Sequence, residues 1–328
     1  MPSLITGASG FLGGHLAQIL VGRGEAVTIL ARPTSDLRHL AGLPIRVVQG
    51  DLHAPDPLRE AVRDATYIYH CAAASTDWAP WPQFYSSNVT GTETLLAVAR
   101  ASAPKLQRFL HVSTTDVYGY PLSPGPETDP TRDVGLSYNR TKILAEQAVW
   151  RASSDLPVTV VRPATIYGPR GTAFVTDIAK LLRARQMAHI DGGDRTGGFL
   201  YVDNAAHAMI AAATHPATLN EAYNLSDGTG VTWRQYVDAL ADGLGAPKPW
   251  INLPFPLAMA IARTLEAPHT YLKLPGRPLL TRHATLLLGR DQEFSITKAQ
   301  EHFNFQPAVS FPEGIARSVA WVREAQPR

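Results

Sequence analysis

The chain has 328 residues, 45% of them hydrophobic, with 30 basic and 28 acidic side chains and a formal net charge of +2. That length can bury a full core in about two lobes, and the interspersed charges exclude the dense basic face that a nucleic-acid binder needs. The single Cys71 excludes an internal disulfide, no His or Cys pair has metal-ligand spacing, and no basic region precedes an apolar run at the amino terminus. A reduced, cytoplasmic setting without a metal site is therefore expected.

The first element reads as strand, glycine turn and helix. Ser3-Leu4-Ile5 runs into Thr6-Gly7-Ala8-Ser9-Gly10-Phe11-Leu12-Gly13 and then into an apolar, helix-like stretch. A pyrophosphate reaches backbone N–H groups only where no β-carbon intervenes, and a helix starting near Gly10 directs its positive dipole end at the phosphates. Gly7, Ser9, Gly10, Phe11, Leu12 and Gly13 are thus candidate cofactor-binding residues. Their glycines stand three apart rather than in the G-x-G-x-x-G form.

Further along, residues 26–31, 46–48, 66–70, 108–112 and 158–161 read as β-branched strands alternating with helical patterns. That alternation implies an α/β fold, a Rossmann-type doubly wound parallel sheet covered on both faces. Ligands in such a sheet bind at the carboxyl ends of the strands, where Gly7, Asp51, Ala72, Thr114 and Arg162-Pro163 fall. The second strand ends in Arg32, where an NAD site supplies an acid to the ribose 2′-hydroxyl. Arg32 instead suits a 2′-phosphate, helped by the hydroxyls of Ser9, Thr34 or Ser35. NADP is the favoured cofactor, and Asp36 four residues later keeps NAD open.

Ser137-Tyr138-Asn139-Arg140-Thr141-Lys142 opens a helical segment that places Tyr138 and Lys142 on one face. A nearby ammonium lowers a tyrosine pKa from its reference of about 10. Such a tyrosine can exchange a proton with an alcohol or ketone while a nicotinamide exchanges hydride with the carbon. His70 and His111 lie in strand patterns and are expected in the core, as is Cys71.

The motifs together resemble the extended short-chain dehydrogenase/reductase family, the epimerase/dehydratase superfamily, through nearly the whole chain. Asp51-Leu52 matches the family's adenine contact, and Tyr67 to Ala74, with Ala72 and Ala73, its fourth strand and cofactor-wall loop. Asn88-Val89-Thr90-Gly91-Thr92 matches the helix behind the active site, where Asn88 would serve a water relay or its own helix. His111-Val112-Ser113-Thr114-Thr115-Asp116-Val117-Tyr118-Gly119 resembles the strand that delivers the catalytic hydroxyl. Counting back from Tyr118 assigns that hydroxyl to Thr114, where many relatives have Ser. Val161 to Pro169 resembles the segment passing the nicotinamide and includes Pro163.

The resemblance implies three catalytic residues: Thr114, Tyr138, and Lys142, which would also hold the nicotinamide ribose. It further implies a Rossmann domain of 1–168 plus about 197–226, and a smaller, mostly helical substrate-binding lobe of about 169–196 and 227–328. An aromatic loop, 76–85, and an apolar segment, 253–289, are looser likenesses to the 3β-hydroxysteroid dehydrogenase-like branch, with its reductases of long-chain β-keto acids. Trp78, Thr114, Tyr138 and Tyr167 are the expected substrate contacts. Arg263, Glu266, Lys273 and Arg277 interrupt the apolar segment too often for a transmembrane helix of about twenty residues. It could pack, line a pocket, act as a lid, form a homodimer, or touch a bilayer peripherally.

The expected activity is NADP-dependent interconversion of a ketone and a secondary alcohol on an apolar small molecule. An NAD-dependent nucleotide-sugar epimerase or dehydratase is the alternative, with Lys180, Arg183, Arg185 and Arg195 as its diphosphate cations. A non-catalytic NADP-sensing regulator is the third reading, opposed by the intact Tyr138 and Lys142.

Overall fold

The computed structural model describes residues 1–325; the end of the expected substrate lobe, 326–328, lies outside the described residues. Its strands in chain order are β1 (Ser3–Thr6), β2 (Val27–Ala31), β3 (Ile45–Gln49), β4 (Tyr67–His70), β5 (Arg108–Val112), β6 (Val158–Pro163), β7 (Thr165–Tyr167), β8 (Ala188–Ile190), β9 (Phe199–Tyr201), β10 (Glu221–Leu225) and β11 (Ile251–Leu253). The helices are α1 (Phe11–Gly22), α2 (Pro55–Val62), α3 (Trp81–Phe84), α4 (Gly91–Ser102), α5 (Ser137–Ala152), α6 (Asp177–Arg183), α7 (Val202–Thr214), α8 (Trp233–Leu244), α9 (Phe255–Tyr271), α10 (Arg282–Gly289), α11 (Thr297–Phe303) and α12 (Phe311–Ala325).

Seven strands form one parallel sheet in the order β10-β6-β5-β4-β1-β2-β3. Successive side chains leave a strand on opposite faces, so one strand packs against both helix layers of the main core. Ile5, Tyr69 and Leu110 face the layer of α1 and α7, with Leu16, Leu20, Ala205 and Met209. Leu4, Ile68 and Phe109 face α2, α4 and α5, with Leu58, Leu95 and Val149. Burial on both sides is why these strands read as continuous apolar runs. Strand order reverses between β1 and β4, and the crevice beyond their carboxyl ends is where such sheets bind ligands.

A second core gathers Tyr167, Phe199, Trp233, Tyr236 and Leu240 with α6, α8 and α12, and Phe199 stacks on Tyr236 at 4.1 Å. Two short parallel pairs, β7 with β9 and β8 with β11, complete this part. One segment departs from the expected division. α11, inside the expected 227–328 lobe, packs under the main sheet: Ala299, Phe303 and Phe305 join the α1 and α7 core, with Phe303 edge-on to Tyr223 at 5.0 Å.

The apolar segment 253–289 is mainly α9 and α10. α9 buries only Ala258, Ala262 and Glu266, while Leu257, Tyr271 and Leu272 are 50%, 82% and 73% exposed. Among the described residues no helix is long and apolar enough to cross a membrane.

Candidate active site

The glycine turn closes at the carboxyl end of β1, where the Gly10 N–H donates to the Gly7 carbonyl at 3.0 Å. α1 follows with Gly10 as its N-cap and no side-chain cap hydrogen bond at its start, where the first N–H groups of a helix have no intrahelical partner. Gly7 has φ +78°, and a β-carbon there would sit 2.7 Å from the Ala72 nitrogen on the loop after β4; one on Gly13 would sit 2.5 Å from the Gly7 carbonyl oxygen. The two loops therefore meet backbone to backbone, a cradle only glycine allows. An uncapped helix end over that cradle, at the strand-order switch, fits the pyrophosphate of a dinucleotide. Ser9 and Gly10 are exposed there, Phe11 and Leu12 half-buried, and Gly13 buried.

Around this cradle, Arg32 is exposed just beyond β2. Asp36 is held by Arg38 through hydrogen bonds of 3.0 and 2.6 Å, and that guanidinium pulls its carboxyl below the usual range. The one acid near the end of β2 is thus already paired. Asp51 and Leu52, half-buried, follow β3, with Asp51 Oδ1 accepting from the His53 N–H at 3.0 Å. Ala72 donates its N–H to Thr6 Oγ1 at 3.3 Å, and Ala73 lies beside it in the same half-buried loop. Pro163 ends β6 and is buried.

Asn88 pins that loop. It lies in a π-helical turn, Tyr85–Thr90, accepts from the Ala74 N–H at 2.7 Å, and donates to the Ala74 carbonyl and Thr141 Oγ1 at 3.2 and 3.1 Å. These bonds give Asn88 a structural role between the β4 loop and α5. His70 is likewise structural. Its ring bridges Thr6 and Thr92 at 2.7 and 2.9 Å, and burial lowers its pKa to about 3. Burial also drives His111 well below its ordinary value and the Cys71 thiol up to about 12.

Thr114, Tyr138 and Lys142 converge at the carboxyl end of β5. Thr114 is buried beside the Tyr138 phenol, and its hydroxyl accepts from the Asp116 N–H at 3.2 Å. Tyr138 is half-buried in the first turn of α5, with Phe84 tilted against its ring at 6.2 Å. Lys142, one turn on, is buried and donates from Nζ to the Val112 carbonyl at 2.6 Å. The electrostatics differ from the expectation that Lys142 lowers the phenol. Burial, followed by the charge of Asp116, pushes the Tyr138 pKa up against the opposing effect of the neighbouring Thr114 hydroxyl. Burial brings Lys142 itself down to about 8. Its ammonium is committed to a β5 carbonyl, so desolvation dominates the phenol.

Of the expected substrate contacts, Trp78 is half-buried and meets His269 of α9 edge-on at 5.9 Å. Its neighbour Asp77 takes two bonds from Arg277, both 2.6 Å, and one from Thr281 at 2.8 Å, tying the aromatic loop to the segment before α10. Tyr167, also expected as a substrate contact, is fully buried among Phe199, Tyr201 and Tyr236 in the second core. Two residues not anticipated from the sequence stand beside Tyr138. The His283 ring of α10 stacks on it at 5.5 Å and 18°, and His283 Nε2–H donates to Asp116 at 2.9 Å. Asp116 carried a signal, lying two residues past Thr114; His283 carried none.

A glycine-lined dinucleotide cradle beside a convergent Thr, Tyr and Lys trio is the site of a short-chain dehydrogenase/reductase. Residues 3–226 match the NAD dependent epimerase/dehydratase family, and the chain belongs to it as an NAD(P)-dependent enzyme acting on a CH–OH group. It is 32% identical to a 4-hydroxy-2-methyl-3-oxo-4-farnesyl-3,4-dihydroquinoline-1-oxide ketoreductase of Stigmatella aurantiaca, over 96% of this chain and 95% of that one. A 2-alkyl-3-oxoalkanoate reductase of Stenotrophomonas maltophilia is 30% identical, over 97% and 98%. A decarboxylating sterol-4-alpha-carboxylate 3-dehydrogenase of Mus musculus is 26% identical, over 96% and 89%, in keeping with the 3β-hydroxysteroid dehydrogenase-like branch. The solved structure of gox2253 superposes with a TM-score of 0.81 at 26% identity, over 99% and 98%.

Proposed function

We propose that this enzyme is an NADP-dependent reductase of a ketone on a largely apolar, long-chain β-keto or steroid-like substrate. The observation that carries the reading is the placement of the buried Thr114 hydroxyl beside Tyr138 at the end of β5, one helical turn from Lys142. Thr114 would hydrogen-bond the substrate carbonyl oxygen, and Tyr138 would donate its phenolic proton to that oxygen. A phenol raised by burial and by Asp116 stays protonated at neutral pH, which suits an acid in the reductive direction. Lys142 would hold the nicotinamide ribose, with the glycine turn, Asp51, Leu52, Ala72, Ala73 and Pro163 lining the rest of the cofactor. NADPH, when bound, supplies the hydride to the carbonyl carbon.

Arg32 supports the 2′-phosphate preference, because Asp36 is engaged by Arg38. The names of the ketoreductase and oxoalkanoate reductase relatives support an apolar ketone. For a nucleotide-sugar epimerase, Lys180 and Arg195 would have to serve a diphosphate, yet they pair with Asp177 at 3.3 Å and Asp291 at 3.1 Å.

The test is to titrate NADPH and NADH into purified protein and then assay a panel of long-chain 3-oxo acids and 3-oxosteroids. Exchangeable NADPH with turnover of an apolar ketone is expected. Tightly retained NAD with turnover of a nucleotide sugar would overturn the reading.

A further inference from the structure

We propose that His283 is a positioning residue for the active-site tyrosine: hydrogen-bonded to Asp116 and laid flat on Tyr138, it fixes the phenol and holds the carboxylate beside it. The inference rests on the reading of Tyr138 as the proton donor.

His283 arrives from the carboxyl-terminal part of the chain on a short, firmly anchored helix. Thr281 caps α10 by accepting the Ala284 N–H at 3.0 Å, and its hydroxyl donates to Asp77 at 2.8 Å. Arg282 gives Glu266 both its backbone N–H, at 2.6 Å, and its side-chain Nε–H, at 2.5 Å. With the residues before it locked to two acids, the His283 ring has little freedom. It is 8% exposed, and Nδ1 is buried without a partner, so Nε2 makes its one hydrogen bond, to Asp116. Burying a ring with one nitrogen unsatisfied is costly, which marks the position as serving more than packing.

Asp116 is fixed from the other side. Its backbone N–H donates to Thr114 Oγ1 at 3.2 Å, and its carbonyl accepts from Asn139 of α5 at 2.6 Å. The carboxylate is therefore rigid relative to both Thr114 and Tyr138. The groups facing His283 are Asp116 at Nε2, the Tyr138 ring on its face and the Tyr120 ring at 6.0 Å; Arg282 and Glu266 neutralise each other nearby. Asp116 also acts on Lys142 and Tyr120. Its charge disfavours phenolate, and a hydrogen-bond donor on that charge moderates the effect.

Opposite signs follow for the two partners. In the alcohol-oxidising direction the rate rises with pH as Tyr138 ionises. Asp116→Asn removes the charge and moves that rise to lower pH by about one unit, the low end for a charge within a few ångströms. His283→Phe keeps a flat ring but leaves Asp116 without its donor, so the rise moves to higher pH, with kcat lowered on the order of tenfold by the looser phenol. His283→Gln restores a donor and brings the profile back toward the wild type.

The experiment records pH–rate profiles of wild type, H283F, H283Q and D116N, with NADPH affinity as a control for folding. Displacements of opposite sign in H283F and D116N are expected, with cofactor affinity retained. Unshifted profiles in both variants would overturn the proposal whatever their rates. Should H283F fail to fold, an unshifted D116N profile is sufficient to overturn it. Tyr138→Phe is measured alongside: full turnover there sinks the acid/base reading, whereas an inert Y138F with unshifted H283F and D116N sinks only the role of His283.

Discussion

Gly13→Ala and Gly22→Ala make the same chemical change in the same helix and should act with opposite sign. In a helix, alanine is favoured over glycine by about 1 kcal/mol. At Gly22, the last residue of α1, the added methyl meets nothing within 4 Å. G22A should therefore raise stability by about 0.5–1 kcal/mol. At Gly13 the β-carbon would lie 2.5 Å from the Gly7 carbonyl oxygen and 2.8 Å from the Gly7 carbonyl carbon, both backbone. Relief needs the turn to retreat by about 1 Å, and overpacking of that kind costs about 1–3 kcal/mol. Net destabilisation of about 0–2 kcal/mol remains after the helix gain. The larger effect should fall on the cofactor, because the displaced N–H groups belong to the proposed phosphate cradle; a loss of tenfold or more, about 1.4 kcal/mol, is expected. Urea denaturation gives the stabilities and fluorescence titration with NADPH the affinities. A G13A protein as stable as G22A, with affinity within twofold of the wild type, would refute the reading of the turn as a phosphate cradle.

Arg32→Ala should weaken NADPH by about 10–100-fold, the worth of a charge-assisted hydrogen bond of about 1.5–3 kcal/mol, and leave NADH nearly unchanged; equal losses for both would remove the 2′-phosphate assignment. Lys142 is lowered by burial from 10.5 to about 8, so the unfolded chain binds more protons between those values and stability attributable to this residue rises with pH from about 8 to 10.5. Lys142→Met should accordingly be more stable than the wild type at pH 7, by up to about 3 kcal/mol, while losing turnover; a destabilised K142M in urea titrations at both ends of that window would contradict it. Arg162 and Glu146 form a buried pair, with Arg162 also bonded to Tyr118. Arg162→Leu strands the carboxylate and should cost about 3–5 kcal/mol in a denaturation experiment; a cost under about 1 kcal/mol would show that the pair is not sealed from water.

The cofactor half of the site is legible in the sequence because its chemistry is local. A glycine turn between strand and helix, a tyrosine and lysine one turn apart, and a hydroxyl four residues before Tyr118 are short-range patterns that the backbone enforces. The main sheet is legible for a related reason: strands buried on both faces leave continuous apolar runs. What escaped the reading depends on contacts between distant segments. Asp116 and His283 are 167 residues apart, and nothing in the local pattern of Arg282–Gly289 marks one face as reaching the tyrosine. Tyr167 sits in a motif that resembles the family's nicotinamide-passing segment, yet Gly314 of α12 packs against its hydroxyl and closes it into the second core. α11 returns to the main sheet because Ala299 and Phe303 complete a face under Tyr223, a destination that its own few residues do not announce. The direction of the Tyr138 shift was also hidden, since helical spacing shows that Lys142 is near but not that its ammonium is spent on Val112.

The decisive measurement is steady-state NADPH-dependent reduction of the best apolar ketone by Tyr138→Phe beside the wild type, with NADPH affinity determined on the same samples. The phenylalanine keeps the ring between Phe84 and His283 and removes the hydroxyl that carries the proton. A kcat lower by about 10²–10⁴-fold, the usual worth of a positioned acid, with unchanged cofactor affinity is the expected result. Turnover equal to the wild type would mean that the proton comes from elsewhere and that Tyr138 is not the acid of this site.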